Sequence, residues 1–389
     1  MPEVYNHGVR VVELDVGSRP IKTVESAVIG IVGTAPEADA NAFPLNKPVL
    51  VIGDRTQAAK LGETGTLPQA MDAILDQTTP FIVVVRIEHS DDANQMKANV
   101  IGGVDEATGA YSGIQALKGA KAITGVEPRI LIAPGFSSDV AVAGELIALA
   151  NQVRGFTYLD GPNTNDADAI NFVKNFGARR AEVIDPWITA FDAATATEVV
   201  RAPSAYAAGL RARIDLEKGF WWSKSNQVIQ AITGTTRPVD FKMGEPTTRA
   251  NLLNKNHVTT IIREGGFRLW GSRTTELNDP KWAFEPVVRT SDLIADSIQR
   301  GLMWAVDRPI NGAFLEDVAA SVNGYITHLI NIGALIGGKC WVDPVRNTPD
   351  QLSQGRAYFQ YDFTAPAPAE QIGIDSINVQ DYYAGVLPK

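Results

Sequence analysis

The chain has 389 residues, of which 45% are hydrophobic, and its formal net charge is -9. This length predicts a globular protein of two or three domains, and the acidic balance argues against direct nucleic-acid binding, which needs clustered positive charge. The single cysteine, Cys340, excludes an intrachain disulfide, the four histidines show no metal-ligand spacing, and the apolar runs are too short to span a bilayer. We therefore expect no metal, no cofactor and no membrane insertion.

The first hundred residues predict an extended arm, residues 1–20, followed by a β-rich subdomain, residues 21–100. The arm is rich in β-branched side chains and is interrupted by Gly17 and Pro20. Uninterrupted apolar runs in the subdomain indicate buried strands, and a short helical pattern lies between the second and the third. The strands are expected at 27–33, 48–53 and 81–87, and the helix at 68–77.

Residues 101–275 predict an α/β body. Strand and helix patterns alternate here, which is typical of a parallel or mostly parallel sheet with covering helices. The alternating elements are RILIAPG, the helix 140–153, FTYLDGP, the helix 166–176 and RAEVIDPW. A further helix at 204–217 carries a face of small side chains, and two β-like pieces follow at 257–275.

Residues 276–370 predict a C-terminal α+β domain. Helices are expected at 291–306 and 314–335, because apolar residues recur there every three or four positions. The tail is β-like in RAYFQYDFTAP and again in QIGIDSINV, within a terminal arm at 371–389. The fold class that we predict is α/β, α+β overall: a mixed-sheet body with flanking helices, a C-terminal α+β domain and extended β-strand arms at both termini.

Two patterns suggest an enzyme, and each has a structural alternative. Asp160 and Asp185 end predicted strands, where catalytic acids occur in α/β enzymes, but ordinary turns and helix caps occur there too. GALIGGK, residues 333–339, matches most of a phosphate-binding loop. A helix precedes it and Cys340 replaces the serine or threonine of that loop, which favours a glycine-rich helix end. We therefore predict that there are no catalytic residues.

Both termini are β-prone without a local hairpin partner. The apolar positions are Val9, Val11 and Leu14 at one end and Ile372, Ile374, Ile377 and Val379 at the other. A strand with unpaired backbone groups either folds back on its own domain or pairs with another chain. Both interpretations stay open from the pattern alone.

Four stretches in order along the chain resemble the contractile-tail sheath proteins of myophages and R-type pyocins. They are HGVRVVELDVGSRPI, AAGLRARIDLEKGFWWSKSN, GGFRLWGSRTT at 265–275 and MWAVDRPI. The resemblance runs from about residue 6 to about residue 385 and implies a compact sheath subunit. A subunit of this kind polymerises as stacked hexameric rings around an inner tube and contracts to drive the tube through the cell envelope.

The resemblance also implies partners and a location. The chain would bind itself, an inner tail tube protein, and baseplate and tail terminator proteins, without touching nucleic acid directly. It would be assembled in the bacterial cytoplasm and reside in the virion tail. The alternatives are the sheath of a genome-less contractile bacteriocin and, in a different class, an α/β ligand-binding enzyme.

The resemblance assigns roles to individual residues. The terminal apolar residues named above would exchange strands between subunits. The stretch 265–275 would be a joint between the body and a tube-facing C-terminal domain, with Trp270 as a buried anchor. Hinge or joint residues are Gly8, Gly17, Gly266, Trp270 and Gly271. Positive tube contacts are Arg300, Arg308 and Lys339.

Overall fold

The computed structural model describes residues 20–192 and 195–385. The strands in these residues are β1 (Val28–Thr34), β2 (Val49–Ile52), β3 (Phe81–Ile87), β4 (Ile130–Ile132), β5 (Phe156–Asp160), β6 (Ala181–Ile184), β7 (Ile188–Asp192), β8 (Thr197–Arg201), β9 (Gln227–Val228), β10 (Gly234–Thr235), β11 (Val258–Arg263), β12 (Phe267–Trp270), β13 (Gly337–Val342) and β14 (Phe359–Thr364). The α-helices are α1 (Arg55–Ala58), α2 (Thr66–Leu75), α3 (Ala93–Ile101), α4 (Ala120–Thr124), α5 (Val140–Val153), α6 (Asp166–Val173), α7 (Pro203–Glu217), α8 (Arg249–Lys255), α9 (Glu285–Gly301), α10 (Gly312–Asn331) and α11 (Pro349–Ser353).

A nine-stranded mixed sheet forms the centre of the molecule, in the order β2-β3-β1-β4-β5-β6-β11-β12-β9. The strands from β3 to β11 in this order run parallel, whereas β2, β12 and β9 pair antiparallel towards its two edges. The interior strand β1 is buried along its whole length, which explains why its sequence is apolar without alternation. The predicted mixed-sheet α/β fold is confirmed. The sheet contains strands from both sides of the unit boundary that was predicted at residue 100.

Helices cover both faces of this sheet. On one face α2 and α7 pack in a core with β1 and β5, and on the other face α5 and α6 pack in a second core. The small face predicted for the helix at 204–217 allows α7 to approach α2 closely. A Cβ added to Gly209 would lie 2.9 Å from the Cα of Ile74, so a larger residue there would push the two helices apart.

The C-terminal domain has a third core between α9, α10 and the C-terminal hairpin, which consists of β13 and β14. The helix predicted at 291–306 begins six residues earlier, at Glu285, and ends at Gly301. The helix predicted at 314–335 spans Gly312–Asn331, and the Asn311 side chain caps its first turn. Val318, Val322 and Ile326 of the predicted apolar stripe are buried.

The segment that precedes β1 packs against the C-terminal domain. Ile21 and Val24 are buried in the third core, and Val24 N donates a hydrogen bond to Ser297 Oγ at 3.0 Å. Thr23 Oγ1 lies 3.0 Å from the Tyr325 hydroxyl. Buried contacts therefore hold residues 21–24 beside α9 and α10.

Candidate assembly site

The strand-end carboxylate of Asp160 is a structural group. It is fully buried and accepts three hydrogen bonds, from Gly135 N (3.0 Å), Ser137 Oγ (2.7 Å) and Ser204 N (2.9 Å). Burial raises the pKa of Asp160, and the hydrogen bonds from Ser137 and Ser204 act in the opposite direction. Because Ser204 lies in the first turn of α7, the protein's own helix occupies the place where a ligand would bind at this sheet edge.

Asp185, the second strand-end acid, is also packed against its own chain. Its carboxylate accepts a hydrogen bond from Asn163 N at 2.8 Å and pairs with Arg237, while burial raises its pKa. A Cβ added to Gly161 would lie 2.5 Å from the Asp185 Cβ. The Gly161 backbone therefore packs directly against the Asp185 side chain, which is fully buried and bound by its own chain.

Other features of the described residues, like the two strand-end carboxylates, do not have the form of a ligand-binding site. The cavities beside Leu117 and beside Val24 measure about 90 Å³ each, well below the several hundred Å³ of common ligand pockets. Within the ranges 20–192 and 195–385 no cluster of metal-ligating side chains occurs, and no helix has the length and apolar character to cross a membrane. Gly333 ends α10 in a left-handed conformation and β13 follows, so 333–339 is a helix end and a strand.

The stretch expected to be a joint, residues 265–275, forms a tight turn and the strand β12, which lies between β11 and the edge strand β9. Gly265 and Gly266 connect β11 to β12 with φ values of 58° and 116°, and Glu264 N donates to Gly266 O at 2.8 Å. Gly271 has a φ of 126°, and a Cβ added there would lie 2.9 Å from Thr259 Oγ1. Glycine is thus required at the point where the chain leaves the sheet towards α9.

Trp270 is not the buried anchor that the sequence suggested. It is half-buried, and its ring meets Phe241 edge-on with ring centroids 4.8 Å apart. Its neighbour Leu269 points to the other face of β12 and is buried in the core of the body. Alternation along the strand turns only one of the two neighbours inward, and the core takes the leucine.

Substitutions in β12 should therefore rank in the opposite order to their side-chain volumes. We expect Trp270→Ala to lower the free energy of unfolding by about 1.5–2.5 kcal/mol, half the cost for a fully buried aromatic, and Leu269→Ala by about 2–5 kcal/mol. Denaturant unfolding of both variants measures the difference. A larger loss for Trp270→Ala would contradict the assignment of Leu269 as the anchor.

A buried charge cluster, consisting of Arg211, Asp215, Glu285 and Arg289, fastens α9 to α7. Arg211 lies 2.7 Å from Asp215 and 3.3 Å from Glu285, and Arg289 binds Asp215 through two hydrogen bonds of 2.8 and 2.6 Å. The Tyr158 hydroxyl donates to Glu285 at 2.8 Å. Burial alone would raise the pKa of Asp215, but the charges of Arg211 and Arg289 outweigh it and hold the pKa below its usual value.

Two further acidic residues, Asp292 and Asp296, extend this attachment along α9 through three ion pairs. Arg180 binds Asp292 through hydrogen bonds of 2.7 and 2.6 Å, and Arg154 lies 2.7 Å from Asp296, which also contacts Arg129. These groups could not be paired from the sequence because their partners lie far apart in the chain. The available signal was the set of charged residues at three- and four-residue spacing within 285–296.

The C-terminal hairpin is a two-stranded sheet whose strands pair only with each other among the described residues. The Asn323 side chain of α10 binds both backbone groups of Cys340, at 2.7 Å from its N and 2.8 Å from its O. These groups therefore point away from β14, and Asn323 occupies the outer edge of β13. Tyr361 lies opposite Cys340, so its backbone groups point to the outer edge of β14.

The C-terminal arm, residues 371–389, follows the proline-containing segment 365–369. As far as the chain is described, residues 371–379 form no strand and make no hydrogen bond with any other part of it. The apolar side chains predicted for strand exchange are exposed: Ile372 76%, Ile374 87%, Ile377 80% and Val379 42%. The fold-back alternative is therefore not adopted over 371–379. Val9, Val11, Leu14, Gly8 and Gly17 lie outside the described residues.

The three cations expected at the tube lie on separate elements of the C-terminal domain. Arg300 is in the last turn of α9, Arg308 lies over the Trp304 ring in the following loop, and Lys339 lies over Trp341 in β13. All three side chains are exposed. They are available to a partner but are not joined to each other by a described contact.

Comparison with known proteins identifies the family. Three family models match: the phage tail sheath protein central domain over residues 109–275, the phage tail sheath C-terminal domain over 278–376, and the N-terminal region of tail sheath protein Gp18 domain III over 26–87. A prophage major tail sheath protein of Pseudomonas aeruginosa is 43% identical over 365 residues, 94% of each chain. The tail sheath protein of Escherichia phage P2 is 37% identical over 391 residues, 98% of each chain.

A solved structure has the same fold. The sheath complex of the extracellular contractile injection system PVC, in the contracted state, superposes with a TM-score of 0.71 at 18% identity, covering 98% of this chain and 99% of that chain. The two relatives are more than 30% identical to this chain along almost its whole length, and the similarity in fold agrees with this similarity in sequence. The chain therefore belongs to the phage tail sheath protein family, and it is a structural subunit of a contractile tail sheath rather than an enzyme.

Proposed function

We propose that the subunits polymerise by strand exchange, in which the C-terminal arm of one copy adds to the C-terminal hairpin of another. The observation that supports this proposal is the stretch 371–379 of the arm, whose apolar side chains are exposed and whose backbone groups make no hydrogen bond within the described chain. Addition of a strand to a sheet edge pairs such backbone groups and covers alternate side chains. Main-chain pairing also tolerates rotation of the bodies at either end.

The outer edge of β14 is the acceptor edge in this proposal. Asn323 already binds the backbone of Cys340 on the outer edge of β13, so a strand added there would have to displace the amide. On the opposite strand, the backbone groups of Tyr361 point outward without such a cap. The arm of a second copy therefore pairs along β14.

The arm enters this edge as two short strand segments. Ile372 and Ile374 share one face of an extended chain, and Ile377 and Val379 share the other, because the interval between the pairs is odd. A single straight strand would expose one pair. A bend or bulge at residues 375–376 lets both pairs face the acceptor subunit.

The larger assembly follows from the exchange contact, in which the donor arm and the acceptor hairpin are different surfaces of the chain. Donor and acceptor surfaces on one chain generate rings or helices of copies. We infer stacked hexameric rings around an inner tail tube, with the C-terminal domain facing the tube and Arg300, Arg308 and Lys339 as its positive contacts. Val9, Val11 and Leu14 add the second exchange strand, and Gly8, Gly17, Gly266 and Gly271 act as hinges or joints.

The polymer contracts and drives the tube through the cell envelope in this proposal. It binds baseplate and tail terminator proteins at its ends, is assembled in the bacterial cytoplasm and functions in the virion tail. Two of the predicted units, residues 1–20 and 371–389, act as exchange arms. Between them lie the β-rich subdomain at 21–100, the body at 101–275 and the tube-facing domain at 276–370. Buried ion pairs attach α9 to the body, so we expect the tube-facing domain and the body to move as one unit.

Electron microscopy of the full-length chain, purified alone, tests the proposal. We expect long hollow tubes with a striated surface at high protein concentration, because donor and acceptor are present on every copy. Sedimentation across a concentration series measures the threshold of assembly. Globular particles at every concentration, with the inner tube protein absent and with it added, would contradict self-polymerisation.

A further inference from the structure

The root of the C-terminal arm is tied to the joint by one ion pair. We propose that Arg273 and Glu370 form a clamp that fixes where the arm leaves the body, and thereby positions the arm for capture by a second copy. This inference rests on the proposed strand exchange. It adds to that exchange a residue pair that takes no part in the strand itself.

The clamp is bidentate and braced. Arg273 donates from Nε to Glu370 Oε1 at 2.7 Å and from Nη2 to Glu370 Oε2 at 2.5 Å. Its guanidinium lies over the Phe284 ring, 5.1 Å from the centroid, and its Nη1 is 3.5 Å from His257 Nε2. His257 is held in turn by its Nδ1, 2.7 Å from Thr274 O. The planar fork is therefore already oriented when it meets the carboxylate.

Its position in the chain suits a role in directing the arm. The two residues are 97 positions apart, so the pair joins the segment after β14 to the joint of the body. Glu370 follows the prolines of 365–369, and its N donates to Pro368 O at 2.9 Å. Within the described chain the next residues, 371–379, make no hydrogen bond, so Glu370 is the last residue held before the arm begins.

The two termini differ in how they are held. Ile21 and Val24 hold the N-terminal side in a buried core, whereas the C-terminal side is held by a partly exposed ion pair whose side chains are 30% and 40% accessible. An exposed pair contributes little to folding. It does restrict the directions available to the arm, which raises the effective concentration of the arm at a neighbour's edge.

The test measures arm mobility and assembly separately in the full-length chain. A nitroxide label on Gln371→Cys reports mobility in dilute, unassembled protein, and labelling of the unsubstituted chain controls for Cys340, which is buried. We expect Glu370→Gln to increase the mobile fraction of the label. We expect it to raise the threshold concentration of polymerisation about fivefold, the upper end for an exposed ion pair.

A matched substitution and a charge exchange complete the design. Asp76→Asn removes an acid from another exposed pair, Arg55–Asp76 at 2.9 Å, and should change neither readout. Arg273→Glu combined with Glu370→Arg should restore part of the lost assembly while melting temperatures stay the same. Unchanged label mobility in Glu370→Gln would overturn the clamp. If a chain without residues 371–389 still polymerised, strand exchange by this arm would be wrong, and the mobility readout would still decide whether the clamp exists.

Discussion

A chain that lacks residues 371–389 should remain folded but stay monomeric at concentrations where the full chain forms tubes. Among residues 371–383 of this arm, none belongs to the three buried cores, and residues 371–379 make no hydrogen bond within the described chain. Their removal should change the free energy of unfolding by no more than about 0.5 kcal/mol, as for surface substitutions. Assembly should be lost because the donor strand is absent. Negative-stain microscopy and sedimentation measure assembly, and thermal melting measures the fold.

Two proline substitutions in the C-terminal hairpin provide the matched control for the acceptor side. Tyr361→Pro removes an N–H that points to the open edge of β14, and should abolish assembly. Val342→Pro removes an N–H on the outer edge of β13, the edge that Asn323 occupies at Cys340, and should leave assembly intact. Both positions point away from the partner strand, so the hairpin keeps its own hydrogen bonds. Normal tubes from the truncated chain, or equal effects of the two prolines, would contradict the proposed exchange.

Replacement of Lys224 by methionine should be among the most destabilising single substitutions in the body. Lys224 and Glu182 are fully buried, with Nζ 2.6 Å from the carboxylate, and Nζ also lies 4.7 Å from the centre of the Tyr158 ring. The variant leaves the Glu182 carboxylate buried without a cation. Breaking such a pair costs about 3–5 kcal/mol. Denaturant unfolding below the assembly threshold measures the loss.

The loss of stability caused by Lys224→Met should become smaller as the pH falls. Burial already raises the pKa of Glu182, and Lys224 opposes this rise, so removing Lys224 raises the pKa further. The folded variant then binds a proton more tightly than the unfolded chain, so its stability increases as the pH falls from about 7 to about 5. The difference in free energy of unfolding between the variant and the unsubstituted protein should become smaller over this range.

Glu182→Gln combined with Lys224→Met removes both charges and keeps an acceptor for Thr259 Oγ1, so this double variant should recover at least part of the lost stability. A double variant less stable than Lys224→Met would contradict the explanation.

Several elements could be predicted closely because their signals are local. The helix predicted at 140–153 is α5 with the same limits, since Asp139 caps its first turn and apolar residues recur along it. The strand predicted at 81–87 is β3 for the same kind of reason: the run is apolar and flanked by a proline and polar residues. The place of the C-terminal arm also follows from local pattern, because its β-prone residues have no hairpin partner nearby, but its exposure is seen only in the structure.

Other elements depend on contacts that a linear pattern does not contain. The small sheet of β7, β8 and β10 was missed, because its strands are short and half exposed and carry no uninterrupted apolar run. The first turns of α9 were missed because Glu285 and Arg289 look like a solvated surface in the sequence. They are buried only because α7 brings their partners Arg211 and Asp215 to them.

By itself, the sequence determined the alternating α/β elements, the family, and the position of the C-terminal arm, since periodicity, caps and ordered motifs are properties of neighbouring residues. Only the tertiary structure decided that Leu269 and not Trp270 is buried, and that Asp160 and Asp185 bind their own chain. It also decided that Asn323 occupies one edge of the hairpin and that Arg273 meets Glu370. Each of these depends on which distant groups the fold brings together, because burial and charge pairing are set by three-dimensional neighbours rather than by position along the chain.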